Sequence, residues 1–184
     1  MTARTMSLAA MLCLAAGSAS AASWTIDPAS SHLAFSGEQT GEAFRGEFKK
    51  FSGSIDFDPA QPAAAHVAIT VDMASAATGD TQRDEAMPQV DWFDTAQFAT
   101  ATFVATGFEK TATGYSTSGK LTVRGATLDV TLPFTLAIDG ATAHAKGHVQ
   151  LTRTAFGIGQ GPWATDQWVA FAVGVDVDLV AHAK

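Results

Sequence analysis

The chain has 184 residues, of which 47% are hydrophobic and 16% charged, with one cysteine and a net charge of −7. This composition fits one folded domain with a sizeable core and excludes a disordered chain. The acidic balance, without any basic run, excludes a nucleic-acid-binding protein.

The first 22 residues predict a secretory signal peptide. Arg4 precedes an apolar stretch at residues 6–16, and small residues follow up to Ala22. As a helix this stretch spans about 16 Å, which is too short to cross a membrane. We expect cleavage after about Ala22, which leaves residues 23–184 as an exported, periplasmic domain. Cys13 lacks the preceding small residue of a lipoprotein site, so we expect the mature domain to contain no cysteine.

From Trp24 onward, apolar residues recur at every second position, the pattern of strands with one buried face. Turn signals such as Asp58-Pro59, Gly125-Ala126 and Asp139-Gly140 separate about eight such runs. The clearest run is the last, in which Val169, Phe171, Val173, Val175, Val177 and Leu179 share one face. We therefore predict an all-β fold and favour an eight-stranded antiparallel barrel over a sandwich, because closure leaves no exposed edge.

Residues 78–93 depart from this period. Asp80 or Thr81 is suited to cap a helix, with Asp84 near its start, and Pro88 stops the helix. We predict a short helix of two turns, followed by apolar residues that fold over one end of the barrel.

The sequence contains no motif that points to catalysis or to a metal. It lacks a Gly-x-Ser-x-Gly elbow. His144 and His148 stand four residues apart on a predicted strand, about 13 Å from each other, so they cannot share one ion and predict a solvated outer face instead. The glycine-rich residues 157–161 precede a strand rather than a helix, which indicates a turn and not a phosphate-binding loop. We expect no catalytic residue, no metal and no cofactor.

Aromatic residues dominate the predicted inner face. Residue type alone fits both a packed core and the wall of a lumen, but small residues on the same faces, among them Ala101, Ala143 and Gly147, favour an unfilled apolar tunnel. The candidate lumen residues are Phe35, Phe44, Phe48, Phe103, Phe134 and Phe171, with Trp92 and Phe93 as the cap. Arg83 is the candidate for a phosphate head group, and an ion pair with Asp84, Glu85 or Asp91 is the alternative.

Several short motifs follow one another along residues 23–184. They are Trp24-Thr-Ile-Asp-Pro28, Gly46-Glu-Phe48, Arg83-Asp84 before Asp91-Trp-Phe-Asp94, Gly119-Lys-Leu-Thr-Val-Arg-Gly125, and Leu151-Thr-Arg153 with Phe156-Gly-Ile-Gly159. In this order and spacing the chain resembles the YceI-like family of exported, lipocalin-like polyisoprenoid-binding proteins. The resemblance implies an eight-stranded antiparallel lipocalin-like barrel with a short helical cap, a long isoprenoid in its lumen and no catalytic residues.

We therefore expect a periplasmic binding or carrier protein for a long apolar isoprenoid, either polyprenyl or quinone-like. A small lipid-directed hydrolase in the same barrel is the enzyme alternative. Relatives with a similar Gly37-Glu-Gln turn are often encoded beside cytochrome b561-like membrane proteins, so the resemblance also implies an accessory partner of such a cytochrome. The sequence leaves open whether two chains pair as a homodimer.

Overall fold

The computed structural model describes residues 22–184. The predicted signal peptide and Cys13 therefore lie outside the described residues, except for Ala22. The strands are β1 (Ser23–Ile26), β2 (His32–Gln39), β3 (Glu42–Phe48), β4 (Phe51–Asp56), β5 (His66–Asp72), β6 (Ala76–Ala77), β7 (Thr100–Thr106), β8 (Glu109–Lys110), β9 (Tyr115–Val123), β10 (Ala126–Asp139), β11 (Thr142–Thr152) and β12 (Ala172–Ala183). The α-helix is α1 (Thr81–Ala86), and single 3-10 turns occupy Pro62–Ala64, Met73–Ser75, Arg153–Phe156 and Gly161–Trp163.

The strands close into a barrel. Eight of them form an antiparallel ring in the order β1, β4, β5, β7, β9, β10, β11 and β12, and β12 pairs back with β1 through the register Trp24↔Ala183. Strands β1 and β2 both pair with β12, so β2 continues the place of β1 in the ring. Strand β3 pairs with β2, and β4 pairs with β1, so β3 and β4 together form the next strand of the ring. The predicted eight-stranded antiparallel barrel is thus confirmed, with the first two strands of the ring each broken into two segments.

The two ends of the barrel are built differently. The start of β1, the ends of β4 and β7 and the β10–β11 turn lie at one end, where the short turn Pro62–Ala64 crosses the opening. The β2–β3 turn, α1 and the segment between β11 and β12 lie at the other end. The longer, irregular connections are therefore gathered at a single end.

Helix α1 begins where the sequence predicts it. The side chain of Asp80 accepts a hydrogen bond from the Arg83 backbone N–H at 2.9 Å, so Asp80 and not Thr81 is the cap. Asp84 instead accepts bonds from the hydroxyl and the backbone N–H of Thr78, both at 2.7 Å. The bond from the Thr78 hydroxyl is the main reason that the pKa of Asp84 lies below its ordinary value. These bonds tie the helix start to the strand before it.

The outer wall carries the polar face of each strand. His144 Nε2 lies 2.5 Å from an Asp178 carboxylate oxygen, and His148 Nδ1 lies 2.7 Å from one of Asp176. Both histidine side chains are about half exposed, so the predicted solvated outer face is confirmed. Across residues 22–184, no group of three or more His, Cys, Asp or Glu side chains is placed to hold a metal ion. In that same part of the chain, no helix has the length and apolar character needed to cross a membrane.

Candidate ligand-binding site

The barrel encloses a cavity of about 750 Å³. Its wall is made mainly by the inward-facing residues of the strands, such as Val71, Ala101, Val149, Leu151 and Val175. Among the described residues, no large side chain is less than 2% exposed, although the domain is large enough to bury many. Inward-facing side chains remain partly accessible because they border this space as well as each other. The period-two pattern therefore lines a hollow interior.

The cavity brings together eight of the nine residues that the sequence predicts for the site. Seven are aromatic and one is basic: Phe35, Phe44, Phe48, Phe103, Phe134, Trp92, Phe93 and Arg83. Trp92 and Phe93 follow α1 and cover the end of the barrel opposite Pro62–Ala64. The rings of Phe48 and Phe93 lie 6.1 Å apart between centroids, so the cap packs directly on the barrel wall.

Phe171 lies outside the cavity, contrary to the prediction that it forms part of the lumen wall. Strand β12 starts only at Ala172, so Phe171 occupies a bend in which strand alternation does not yet apply. Its side chain is 36% exposed and stacks on the Arg153 guanidinium, whose central carbon lies 5.4 Å from the ring centroid. An apolar residue one position before a strand need not share the strand's inner face.

Glycines on neighbouring strands make room for the large rings of the wall. Phe35 pairs in register with Gly46, and a Cβ at Gly46 would lie 2.5 Å from the Phe35 ring. Phe103 likewise covers Gly119 of β9, where a Cβ would lie 2.7 Å from the Phe103 ring. An aromatic ring that lies over a glycine covers its backbone and stays close to the wall. This pairing keeps large side chains from filling the centre of the barrel.

The mouth of the cavity lies between the β2–β3 turn and α1. Its polar lining residues include Gln39, Thr40, Glu42, Asp80, Gln82 and Arg83. Arg83 donates to the side-chain oxygens of Gln39 and Thr78, both at 3.2 Å, and its guanidinium carbon lies 4.4 Å from the centroid of Phe44. Within residues 22–184, none of the ion pairs involves Arg83, so the structure does not form the alternative pairing with Asp84, Glu85 or Asp91. A guanidinium with neutral partners thus stands at the mouth.

A second guanidinium, that of Arg153, lies in the cavity wall and is 3% exposed. It donates to four backbone carbonyl oxygens, those of Ala170 at 3.0 Å, Ile158 at 2.9 Å, Thr165 at 2.9 Å and Val169 at 2.8 Å. Burial lowers the pKa of Arg153 from its ordinary value, and the charge of Asp166 opposes that shift. Arg153 thus ties the segment between β11 and β12 to the end of the barrel.

Several lining residues were not singled out from the sequence. Val149, Leu151 and Arg153 occupy every second position at the end of β11, and the first two face inward. This alternation could have predicted that Arg153 also faces inward. Phe51 and Phe57 are likewise in phase with Ile55. Others lie outside the strands, where alternation of apolar residues does not predict which side chains face inward. They are Met87, Phe108, Phe156 and Trp163.

The closed ring and its apolar cavity define this chain as a lipocalin-like β-barrel. The model of the YceI-like domain matches residues 24–181, and the chain belongs to this family. The protein YceI of Escherichia coli O6:H1 is 36% identical over 126 residues, which cover 67% of this chain and 66% of the relative.

Solved structures agree with the family assignment. Burkholderia cenocepacia BcnA superimposes with a TM-score of 0.81 at 35% identity, covering 84% of this chain and 98% of BcnA. A polyisoprenoid binding domain from Saccharophagus degradans superimposes with a TM-score of 0.67 at 18% identity, covering 88% of this chain and 98% of that domain. This second likeness concerns the fold alone.

Proposed function

We propose that this chain binds a long apolar isoprenoid lipid, polyprenyl or quinone-like, in the barrel cavity and acts as a periplasmic carrier or sequestering protein. The observation that carries the proposal is the cavity of about 750 Å³, whose wall is mainly apolar and whose polar residues are concentrated at the mouth. The name of the Saccharophagus degradans neighbour supports an isoprenoid as the ligand class. Periplasmic location rests on the signal peptide predicted for residues 1–22.

The energetics of burial favour such a ligand. About 15 prenyl carbons at about 0.8 kcal/mol each contribute roughly 12 kcal/mol before the costs of association and ordering. Those costs amount to several kcal/mol, so micromolar or tighter binding needs no polar anchor.

The mouth suits the polar end of the lipid. Arg83 carries a charge whose side-chain hydrogen bonds go to the neutral Gln39 and Thr78, and an anionic head group there would gain charge-assisted hydrogen bonds. The lipid then inserts tail first, with its head group at α1 and its tail toward Trp24 and Phe57.

The residues of the cavity do not favour the hydrolase alternative. Of the described residues that line it, none is a serine, cysteine or histidine, and acyl hydrolysis commonly uses a nucleophile with an adjacent base. A cytochrome b561-like partner and a homodimer have no structural observation behind them and stay predictions.

Titration of delipidated protein with geranylgeraniol tests the proposal. We expect micromolar or tighter binding for the wild-type chain and at least about a hundredfold weaker binding for Phe103→Asp, because a carboxylate in the apolar wall has no partner. Val104→Asp is the matched control, since Val104 is the next residue of β7 and is 41% exposed. It should bind like the wild type.

The proposal is wrong if the wild-type chain does not bind geranylgeraniol. It is equally wrong if a Phe103→Asp chain with native circular dichroism binds as tightly as the Val104→Asp control.

A further inference from the structure

The end of the cavity opposite the mouth is closed by aromatic side chains. Trp24, Phe57, Phe108 and Phe134 all line the cavity, and the first three are 5%, 3% and 8% exposed. A lipid that enters from the mouth therefore meets these rings with the end of its tail. The position of these rings therefore sets the length of lipid tail that fits inside the cavity.

The rings form one packed cluster. The centroid of Phe108 lies 5.3 Å from that of Phe57 and 5.0 Å from that of Phe134, and Tyr115 stacks on Phe134 at 5.6 Å. Trp24 Nε1 donates to the Phe57 carbonyl oxygen at 3.0 Å. Such a cluster has few alternative rotamers, so it acts as a rigid floor.

The backbone holds Phe108 in place. Its N–H donates to the Pro62 carbonyl oxygen at 2.8 Å, and the N–H of Gly107 donates to the Ala65 carbonyl oxygen at 2.7 Å. Thr117, 5% exposed, donates its hydroxyl to the Gly107 carbonyl oxygen at 2.9 Å. Phe108 is thus fixed from both sides by the turn Pro62–Ala64 and by β9.

A second cleft lies on the far side of Phe108. It has a volume of about 270 Å³ and is lined by Ala63, Thr106, Gly107, Phe108, Glu109, Ser116, Thr117 and Ser118. Among residues 22–184, only Phe108 and Thr117 border both this cleft and the main cavity. Phe108 has the larger side chain of these two residues, and the Thr117 hydroxyl is engaged with the backbone.

We infer that Phe108 is the residue that limits the length of the prenyl chain this protein accepts. The inference rests on the proposed function and adds its specificity determinant. Each isoprene unit that enters the apolar cavity adds burial, and a unit that would have to displace the Phe108 ring adds none. Affinity should rise with chain length and then stop rising at a fixed length. Removal of the ring joins the two spaces and moves that limit outward.

The test measures dissociation constants of delipidated protein for geraniol, farnesol, geranylgeraniol and longer all-trans prenyl alcohols. We expect Phe108→Ala to bind the first alcohol beyond the wild-type limit at least about tenfold more tightly than the wild type does. Phe108→Leu keeps an apolar contact with the floor and should shift the limit less, which covers the case in which the alanine variant does not fold. Phe98→Ala removes the same ring at a position outside the cavity, beside Arg124, and should keep the wild-type limit.

The two hypotheses fail in different ways. If the wild-type chain shows a limit and both folded Phe108 variants show the same one, the role of Phe108 is overturned while the proposed function stands. If the wild-type chain binds no prenyl alcohol of any length, the proposed function is overturned and the role of Phe108 with it.

Discussion

Arg83 shows how one residue combines a structural contact with an available charge. Its guanidinium rests on the Phe44 ring and bonds to Gln39 and Thr78, which joins α1 to strand β2 across the mouth. Neither hydrogen-bond partner is an anion, and Asp84, whose pKa the Thr78 hydroxyl and the charge of Arg83 both help to lower, forms no ion pair with Arg83. The guanidinium is therefore available to an anion at the place where a lipid head group would stop. The residue can therefore recognise an anion without first breaking an ion pair.

Substitution of Arg83 by glutamine separates head-group recognition from tail binding. We expect Arg83→Gln to weaken binding of farnesyl phosphate by about tenfold, the loss of one charge-assisted hydrogen bond, and to leave farnesol binding unchanged. Calorimetric titration measures both ligands. Arg45→Gln removes an equal charge from the outer wall, where Arg45 pairs with Asp176, and should affect neither ligand. Equal losses for phosphate and alcohol would show that Arg83 only shapes the mouth.

At the scale of elements, two segments cover the mouth end of the barrel, the one after α1 and the one between β11 and β12, and the buried Arg153 contacts both. Arg153 stands at the end of β11, and its four bonds reach carbonyl oxygens along residues 158–170. Its guanidinium also lies 5.6 Å from the centroid of Trp92, which belongs to the segment after α1. One side chain thus holds both parts of the cap on the barrel.

The geometry of the guanidinium, and not its charge alone, should stabilise the cap. Arg153→Lys keeps the charge but loses the planar fork, so we expect the free energy of unfolding to fall by about 2–4 kcal/mol. Urea denaturation measures the change. Arg45→Lys, on the exposed outer wall, should change it by less than about 0.5 kcal/mol. Similar values for the two variants would contradict the anchoring role.

The whole molecule is a barrel whose interior is kept open by pairing across strands. Phe35 lies over Gly46 and Phe103 over Gly119, which holds large rings against the wall. The closed end is sealed by aromatic packing around Phe57. The other end is covered by α1, the residues that follow it, and the segment between β11 and β12, which are not part of the sheet. The same apolar residues that would make a solid core in another barrel form a container here.

The strands, the barrel and the helix were predictable from the sequence because each has a local signal. Period two marks the strands, and Asp80 and Pro88 bound α1. The start of β12 was not predictable, because the apolar alternation runs through Phe171 without interruption while the backbone bends there. Period two therefore gives the face of a residue within a strand but not the position where the strand begins.

The cavity itself was only partly predictable. Sequence alternation places Phe35 and Phe103 inside but does not say whether they meet each other or a glycine, since this depends on the register of strands distant in sequence. The role of Phe108 depends on the turn Pro62–Ala64, which lies more than 40 residues earlier in the chain. Long-range pairing, and not composition, therefore decides which apolar residues line the cavity and which close it.

Native mass spectrometry of the protein, produced from all 184 residues and purified without detergent, is the most direct test of the proposed function. We expect a complex heavier than the polypeptide, from which organic extraction releases an isoprenoid lipid, and we expect the Phe103→Asp chain to carry none. A wild-type chain that has the mass of the polypeptide alone, and that also takes up no added geranylgeraniol, would contradict the proposed lipid binding.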